Sequence, residues 1–150
     1  MTPTLERGGH VVFVCMGNIH RSPLAAAMFK ARMEARKFPC VIESAGTIDV
    51  GSQPAASEWA VHQFAKIFDL SVHRSRHISA VKYTPQTFFV CADTLIQMEV
   101  SRLDGVSKER VLPLNNFGGV CDPRYNGYDT CFTQIHTGIQ MLERTLGVDR

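Results

Sequence analysis

The sequence predicts an α/β fold: a single domain, residues 1–150, with a four-stranded parallel twisted sheet and helices on both faces. Short, nearly continuous apolar runs recur along the chain, as strands buried on both faces require. Segments with helical spacing lie between them. A length of 150 residues at 45% hydrophobic composition is enough for one substantial core and too little for two typical domains. Strands that alternate with helices through right-handed crossovers give a parallel sheet covered on both sides.

The elements follow in order. "HVVFVC" (10–15) and "TFFVCAD" (87–93) read as the central strands, and "CVIESAG" (40–46) and "ERVLPL" (109–114) as the other two. After Ser22, Leu24, Met28, Ala31 and Ala35 share one helical face. Trp59, Phe64 and Phe68 suggest a second helix after Pro54, with Trp59 facing the core. Leu95, Met98 and Arg102 lie in a third. The last helix runs from about Thr130 to Leu146, with Ile135, Ile139 and Leu142 on one side. "FGGVCDPRYNGYDT" (117–130) is the one long loop rich in turn residues, and loops of that length in compact domains are often functional.

Composition narrows the function. A formal charge of +2 with 20% charged residues supplies no basic stripe for a nucleic acid, so any phosphate binding is local. No apolar run is long enough to span a bilayer, and "MTPTLERGGH" lacks the pattern of a secretion signal, so the expected compartment is the cytoplasm, with no membrane partner. Five cysteines without a C-x-x-C pair are expected as reduced thiols. Six histidines without a helical His-Glu-His spacing imply no metal, and no cofactor is expected.

Ligands of parallel sheets bind at the carboxyl ends of the strands, and Cys15 stands at such an end. The loop that follows is suited to an anion. Pro23 fits the first helical turn, where N–H groups lack intrahelical partners and the dipole favours negative charge. Gly17 and Asn18 tolerate positive φ, so the amides from Met16 through Gly17, Asn18, Ile19, His20 and Arg21 to Ser22 can converge on one phosphate. Arg21 adds a planar fork matched to two phosphate oxygens. The same donors and the Ser22 hydroxyl favour the thiolate of Cys15, the form that attacks. The constellation reads as a nucleophile in a phosphate cradle, carrying a phosphocysteine intermediate. A Cys-x5-Arg spacing alone proves little; the strand-loop-helix context carries the reading.

"VCMGNIHRSP" resembles V-C-x-G-N-x-C-R-S-P, the signature of the low-molecular-weight protein tyrosine phosphatases. The resemblance continues in "SAGT" (44–47), "HRSRHIS" (73–79), "VCAD" (90–93) and "DPRYNG" (122–127). It implies a phosphotyrosine phosphatase with Cys15 as nucleophile, Arg21 clamping phosphate, and Asp122 as general acid and then base. On residue type alone, Asp122-Pro123 is equally a turn opener. The resemblance further implies that His73 bonds to Asn18, that Arg76 and Asp93 brace the cradle, that Ser22 touches the thiolate, and that Tyr125 walls the leaving group. Its implied partner is a phosphotyrosine-containing protein, a tyrosine kinase among the candidates, acted on by a monomer.

The chain departs from that pattern at several places. His20 stands where the signature has its second cysteine, so a protective disulfide with Cys15 cannot form there, and its side chain is expected to point outward. Arg124 replaces a frequent aromatic residue and hints at acidic flanking sequence. Ile48 and Asp49, followed by Val50, lie where some members carry a rim tryptophan. Ile19 resembles tyrosine-directed members, whereas threonine there marks arginine phosphatases. The rival readings are an arsenate reductase of the same fold, a non-catalytic phosphate-binding module and a phosphocysteine carrier. Cys91 suits the first, but Thr94 to Val100 holds no partner cysteine. The module would need the nucleophile or acid lost, and the carrier does not need an arginine in the loop.

Overall fold

The first apolar run forms β1 (Gly9–Cys15), whose last five residues are all buried. The computed structural model describes residues 3–53, 70, 73–115, 119 and 128–149. Within them follow α1 (Arg21–Ala35), β2 (Cys40–Gly46), β3 (Phe88–Cys91), α2 (Thr94–Ser101), β4 (Val111–Pro113) and α3 (Tyr128–Thr145). All three strand pairings are parallel, in the order β2-β1-β3-β4. The expected α/β fold with a four-stranded parallel sheet is the one formed. The helix expected after Pro54, with Trp59, Phe64 and Phe68, lies outside the described residues.

Alternation along β1 explains why that run is continuously apolar. Val11 and Phe13 pack on one side with Phe88, Val90, α1 and α3; Val12 and Val14 pack on the other with Phe89, Cys91 and α2. A strand in the middle of such a sheet has no solvent face on which to place a polar residue. The register sets Cys15 opposite Gly46 and Val14 opposite Cys91, so three strands end along one line. The chain leaves β1 into α1 on one face of the sheet and its neighbour β3 into α2 on the other, so the topological switch point lies between β1 and β3, at the end where Cys15 stands.

Two helical faces differ from those the spacing predicts. In α2, Ile96 and Val100 are buried, while Leu95 and Met98 are 55% and 49% exposed. Apolar residues at 95, 96, 98 and 100 allow two stripes, and the cap decides between them: Asp93 Oδ1 accepts from Ile96 N at 2.9 Å, which sets the helix's phase against the sheet. From Leu24 onward the buried residues of α1 are Leu24, Ala25, Met28, Phe29 and Met33, with Ala31 half-buried and Ala35 exposed. The larger side chains at 29 and 33 fill the space beneath α3, and the alanines are left toward the rim.

Glu143 ties α3 to the last turns of α1. Its Oε1 accepts from Arg32 Nε at 2.6 Å and Arg36 Nε at 3.1 Å, and its side chain is 3% exposed. Burial pushes the carboxyl up, but the two guanidinium hydrogen bonds outweigh it and hold the group below the ordinary 4.5. A depressed carboxyl contributes stability above its unfolded value, and that contribution is lost as pH falls through the folded value. Glu143→Gln is therefore expected to cost about 1–2 kcal/mol at neutral pH, since both arginines remain partly solvated. Urea melts of the two proteins should converge as pH drops below 4.5; a gap that stays constant into acid contradicts the assignment.

Candidate active site

The loop from Met16 to His20 joins β1 to α1 and folds back over the end of β1. Its left-handed residue is Asn18, at φ 56, a conformation its short polar side chain tolerates. Gly17, expected to share that role, has no positive φ, and a Cβ there would meet only the Ile19 side chain at ordinary distance. The turn brings Asn18 N to 3.2 Å from Cys15 Sγ.

The direction of the hydrogen bond from Asn18 to Ser22, beside Cys15, is fixed by the backbone. Arg76 N donates to Asn18 Oδ1 at 3.0 Å, which fixes the amide so that Nδ2 donates to Ser22 Oγ at 2.8 Å. Ser22 Oγ therefore accepts from Asn18, and its own proton is available to Cys15 Sγ, 3.0 Å away; Ala45 O, at 3.5 Å, is the longer alternative. An anionic sulfur at this place accepts from the Asn18 amide and the Ser22 hydroxyl together. Cys15 is 3% exposed.

Arg21 opens α1, and its Nη1 donates to Asp93 Oδ2 at 3.0 Å. Asp93 stands two residues beyond β3 and uses its other oxygen to cap α2, so one carboxylate links the arginine to the frame. Pro23 lies in the first turn, and the first backbone bond of α1 runs from Leu24 N to His20 O. The Ser22 N–H thus falls before the helix's own ladder begins.

His73 Nε2 lies 2.8 Å from Asn18 O, to which it donates. Burial holds the His73 imidazole below its ordinary 6.5; the hydrogen bond to Asn18 opposes this, and the neighbouring Arg74 and Arg76 add to it. Arg76 reaches away from the loop, donating through Nε to Ser44 O at 3.1 Å and through Nη2 to Glu43 at 2.6 Å. His10 Nε2 bonds to the other Glu43 oxygen. Burial pushes the Glu43 carboxyl up, and its bonds to Arg76 and His10 outweigh that and lower it.

His20 is not outward-pointing as expected: it is 7% exposed. It is the residue before α1, and the next four residues, Arg21 to Leu24, are buried with it. Ile48 and Asp49 are exposed, and Ile48 N donates to Met16 O at 3.0 Å, so Met16 and Ile48 form an apolar edge beside the loop. Asp122, Arg124 and Tyr125 lie outside the described residues.

Spacing did not reveal Glu43, His10 or Gly46. A Cβ on Gly46 would lie 2.6 Å from Met16 O and 3.0 Å from Asn18 N, so the loop backbone rests directly on the end of β2. The signal was the glycine of "SAGT" beside a strand end. For Glu43 and His10 the signal was only a carboxylate and a histidine inside otherwise apolar strands.

The model of the family described as "Low molecular weight phosphotyrosine protein phosphatase" matches residues 10–147. The chain belongs to that family. As a low molecular weight phosphotyrosine protein phosphatase it is an enzyme of the cysteine-dependent phosphatase class. No curated protein sequence matches it. Among solved structures, the low molecular weight protein tyrosine phosphatase of Streptococcus pyogenes shares 24% identity over 92% of this chain and 93% of its own, with a TM-score of 0.75. The drosophila arginine phosphatase shares 19% over 90% of this chain and 96% of its own, with a TM-score of 0.77. YfkJ from Bacillus subtilis shares 20% over 97% and 99%, with a TM-score of 0.76. These likenesses show that the phosphatase has the fold of all three.

Proposed function

We infer that this phosphatase hydrolyses phosphotyrosine in proteins through a phosphocysteine on Cys15. In the first step Sγ attacks phosphorus, the S–P bond forms, and the bond to the tyrosyl oxygen breaks as Asp122 delivers a proton to that oxygen. In the second, water attacks phosphorus and gives a proton to Asp122, and the sulfur leaves as thiolate. Arg21 and the amides from Met16 to Ser22 hold the equatorial oxygens throughout. Asn18, Ser22, His73, Arg76 and Asp93 keep the loop curled and the arginine in place.

The observation that carries this reading is the approach of Ser22 Oγ and Asn18 N to Cys15 Sγ beside an arginine anchored by Asp93. The apolar edge of Met16, 37% exposed, and Ile48, 46% exposed, suits a flat aromatic ring. Arg124 and the exposed Arg74 suit acidic flanking residues. Free thiols at Cys15, Cys40, Cys91 and Cys131 suit a reducing, cytoplasmic setting, in which the enzyme acts as a monomer on phosphotyrosine proteins, tyrosine kinases among them.

Asp122→Asn tests the acid. Its kcat/KM on a phosphotyrosine peptide should fall by roughly 10²- to 10³-fold, and by much less on an aryl phosphate whose phenol is acidic enough to leave unprotonated. A loss independent of the leaving group removes Asp122 from that role. Phosphoserine and phosphoarginine peptides assayed alongside should turn over poorly, and faster turnover of phosphoarginine would replace the substrate class.

A further inference from the structure

We propose that His10 is a positioning residue for the phosphate cradle, acting on it through Glu43 and Arg76. The proposal rests on the reading of residues 16–22 as that cradle. Arg76 is joined to the loop by its main chain: its N–H donates to Asn18 Oδ1 at 3.0 Å, the bond that turns the Asn18 amide toward Ser22. Its carbonyl accepts from Gly46 N at 2.9 Å, on the glycine against which the loop rests. The side chain runs back along β2 instead, to Ser44 O at 3.1 Å and Glu43 Oε1 at 2.6 Å. One residue thus grips the strand with its guanidinium and the loop with its amide.

Glu43 is held in turn. A carboxylate has no proton to give, so His10 donates to Oε2 through Nε2. Thr87 Oγ1, which accepts from Thr84 N at 3.1 Å, lies 2.9 Å from His10 Nδ1 and fixes the ring from its other edge. Thr87 is fully buried, so this end of the line is set by the core. Without the His10 donor, Oε2 of the half-buried carboxylate keeps its charge and loses its partner, and the group turns toward water. Arg76 is bonded to that group and moves with it. The donors on Cys15 Sγ depend on the Arg76 amide, since it orients Asn18, whose N lies 3.2 Å from the sulfur, and through Asn18 the Ser22 hydroxyl at 3.0 Å. His10 opens β1 and Cys15 closes it, so the influence spans about 16 Å of strand.

The test is His10→Leu, assayed for kcat/KM on a phosphotyrosine peptide and for inhibition by inorganic phosphate, with a urea melt alongside. The variant should lose roughly 3- to 20-fold in kcat/KM, and phosphate inhibition should weaken by a similar factor, because one cradle serves both. His10→Gln, which still offers an N–H to Glu43, should recover most of both losses. In an Arg76→Met background, which keeps the amide at 76 and removes the guanidinium, His10→Leu should add no further loss in either assay. Glu43→Gln interrupts the same line one step nearer the loop and should give the same paired losses, even if His10→Leu folds poorly. A destabilised His10→Leu with wild-type kinetics, a glutamine variant no better than leucine, losses that add to those of Arg76→Met, or a fall in kcat/KM with phosphate inhibition unchanged overturns the proposal. If inorganic phosphate does not inhibit the wild-type enzyme, the reading of the cradle fails and the role of His10 with it; that result comes from the wild type alone, so the two failures are distinct.

Discussion

Cys15→Ser removes turnover, with a loss of at least about 10⁴-fold in kcat/KM, while the protein stays folded and still binds a phosphotyrosine peptide. The expectation follows from how the sulfur is surrounded. Asn18 N at 3.2 Å and Ser22 Oγ at 3.0 Å offer donors to an anion, and a hydroxyl in the same place is protonated and a much weaker nucleophile. Stability should change by no more than about 1 kcal/mol, because a hydroxyl fits the same buried site and finds the same hydrogen-bond partners. Steady-state assay gives the loss, and calorimetry with the peptide gives the retained affinity. A variant that still turned over substrate would remove Cys15 from the chemistry; one that neither turned over nor bound would assign it to folding instead.

Arg21→Lys should cost about 10³-fold in kcat/KM although the charge is kept. The side chain is nearly buried, and its Nη1 is fixed to Asp93 at 3.0 Å. A guanidinium held at one edge by a carboxylate presents a rigid planar set of donors; an ammonium on a flexible stem cannot satisfy Asp93 and two phosphate oxygens at once. Inhibition by inorganic phosphate should weaken in parallel, because the lost contacts belong to ground state and transition state alike. Loss of turnover with unchanged phosphate inhibition contradicts a phosphate-clamping role. Asp93 should matter to the same measurement through Arg21, and to stability through the cap of α2.

Much of this molecule is legible in its sequence because the sheet is buried on both faces. β1 and β3 have no solvent side, so their residues are continuously apolar and their ends are sharp: Cys15 closes one run, and Asp93 stands just past the other. A cysteine, a left-handed asparagine and an arginine within the seven residues 15–21 that begin at such an end are local features, and local features are what spacing reads well. The face of α2 was not legible, because four apolar residues in one short helix fit two stripes and only the Asp93 cap selects Ile96 and Val100. Nor were the contacts made across the fold. Glu43 meets Arg76 from 33 positions away, and Gly46 supports a loop that precedes it by nearly thirty. Glycine at 119 looks like any turn residue until Asp93 is seen beside it. The burial of His20 is not legible in the sequence because a polar residue in a loop reads as solvated, whereas this loop turns inward over β1.

The central claim is that the phosphoryl group passes through the sulfur of Cys15. Rapid mixing of the phosphatase with an aryl phosphate bearing an acidic phenol, followed by acid quench and digestion, tests it most directly. A burst of phenol stoichiometric with enzyme, and a phosphothioester on the peptide that contains Cys15, are the expected results. Linear phenol release with no phosphoryl adduct on that peptide, or an adduct on another residue, contradicts it.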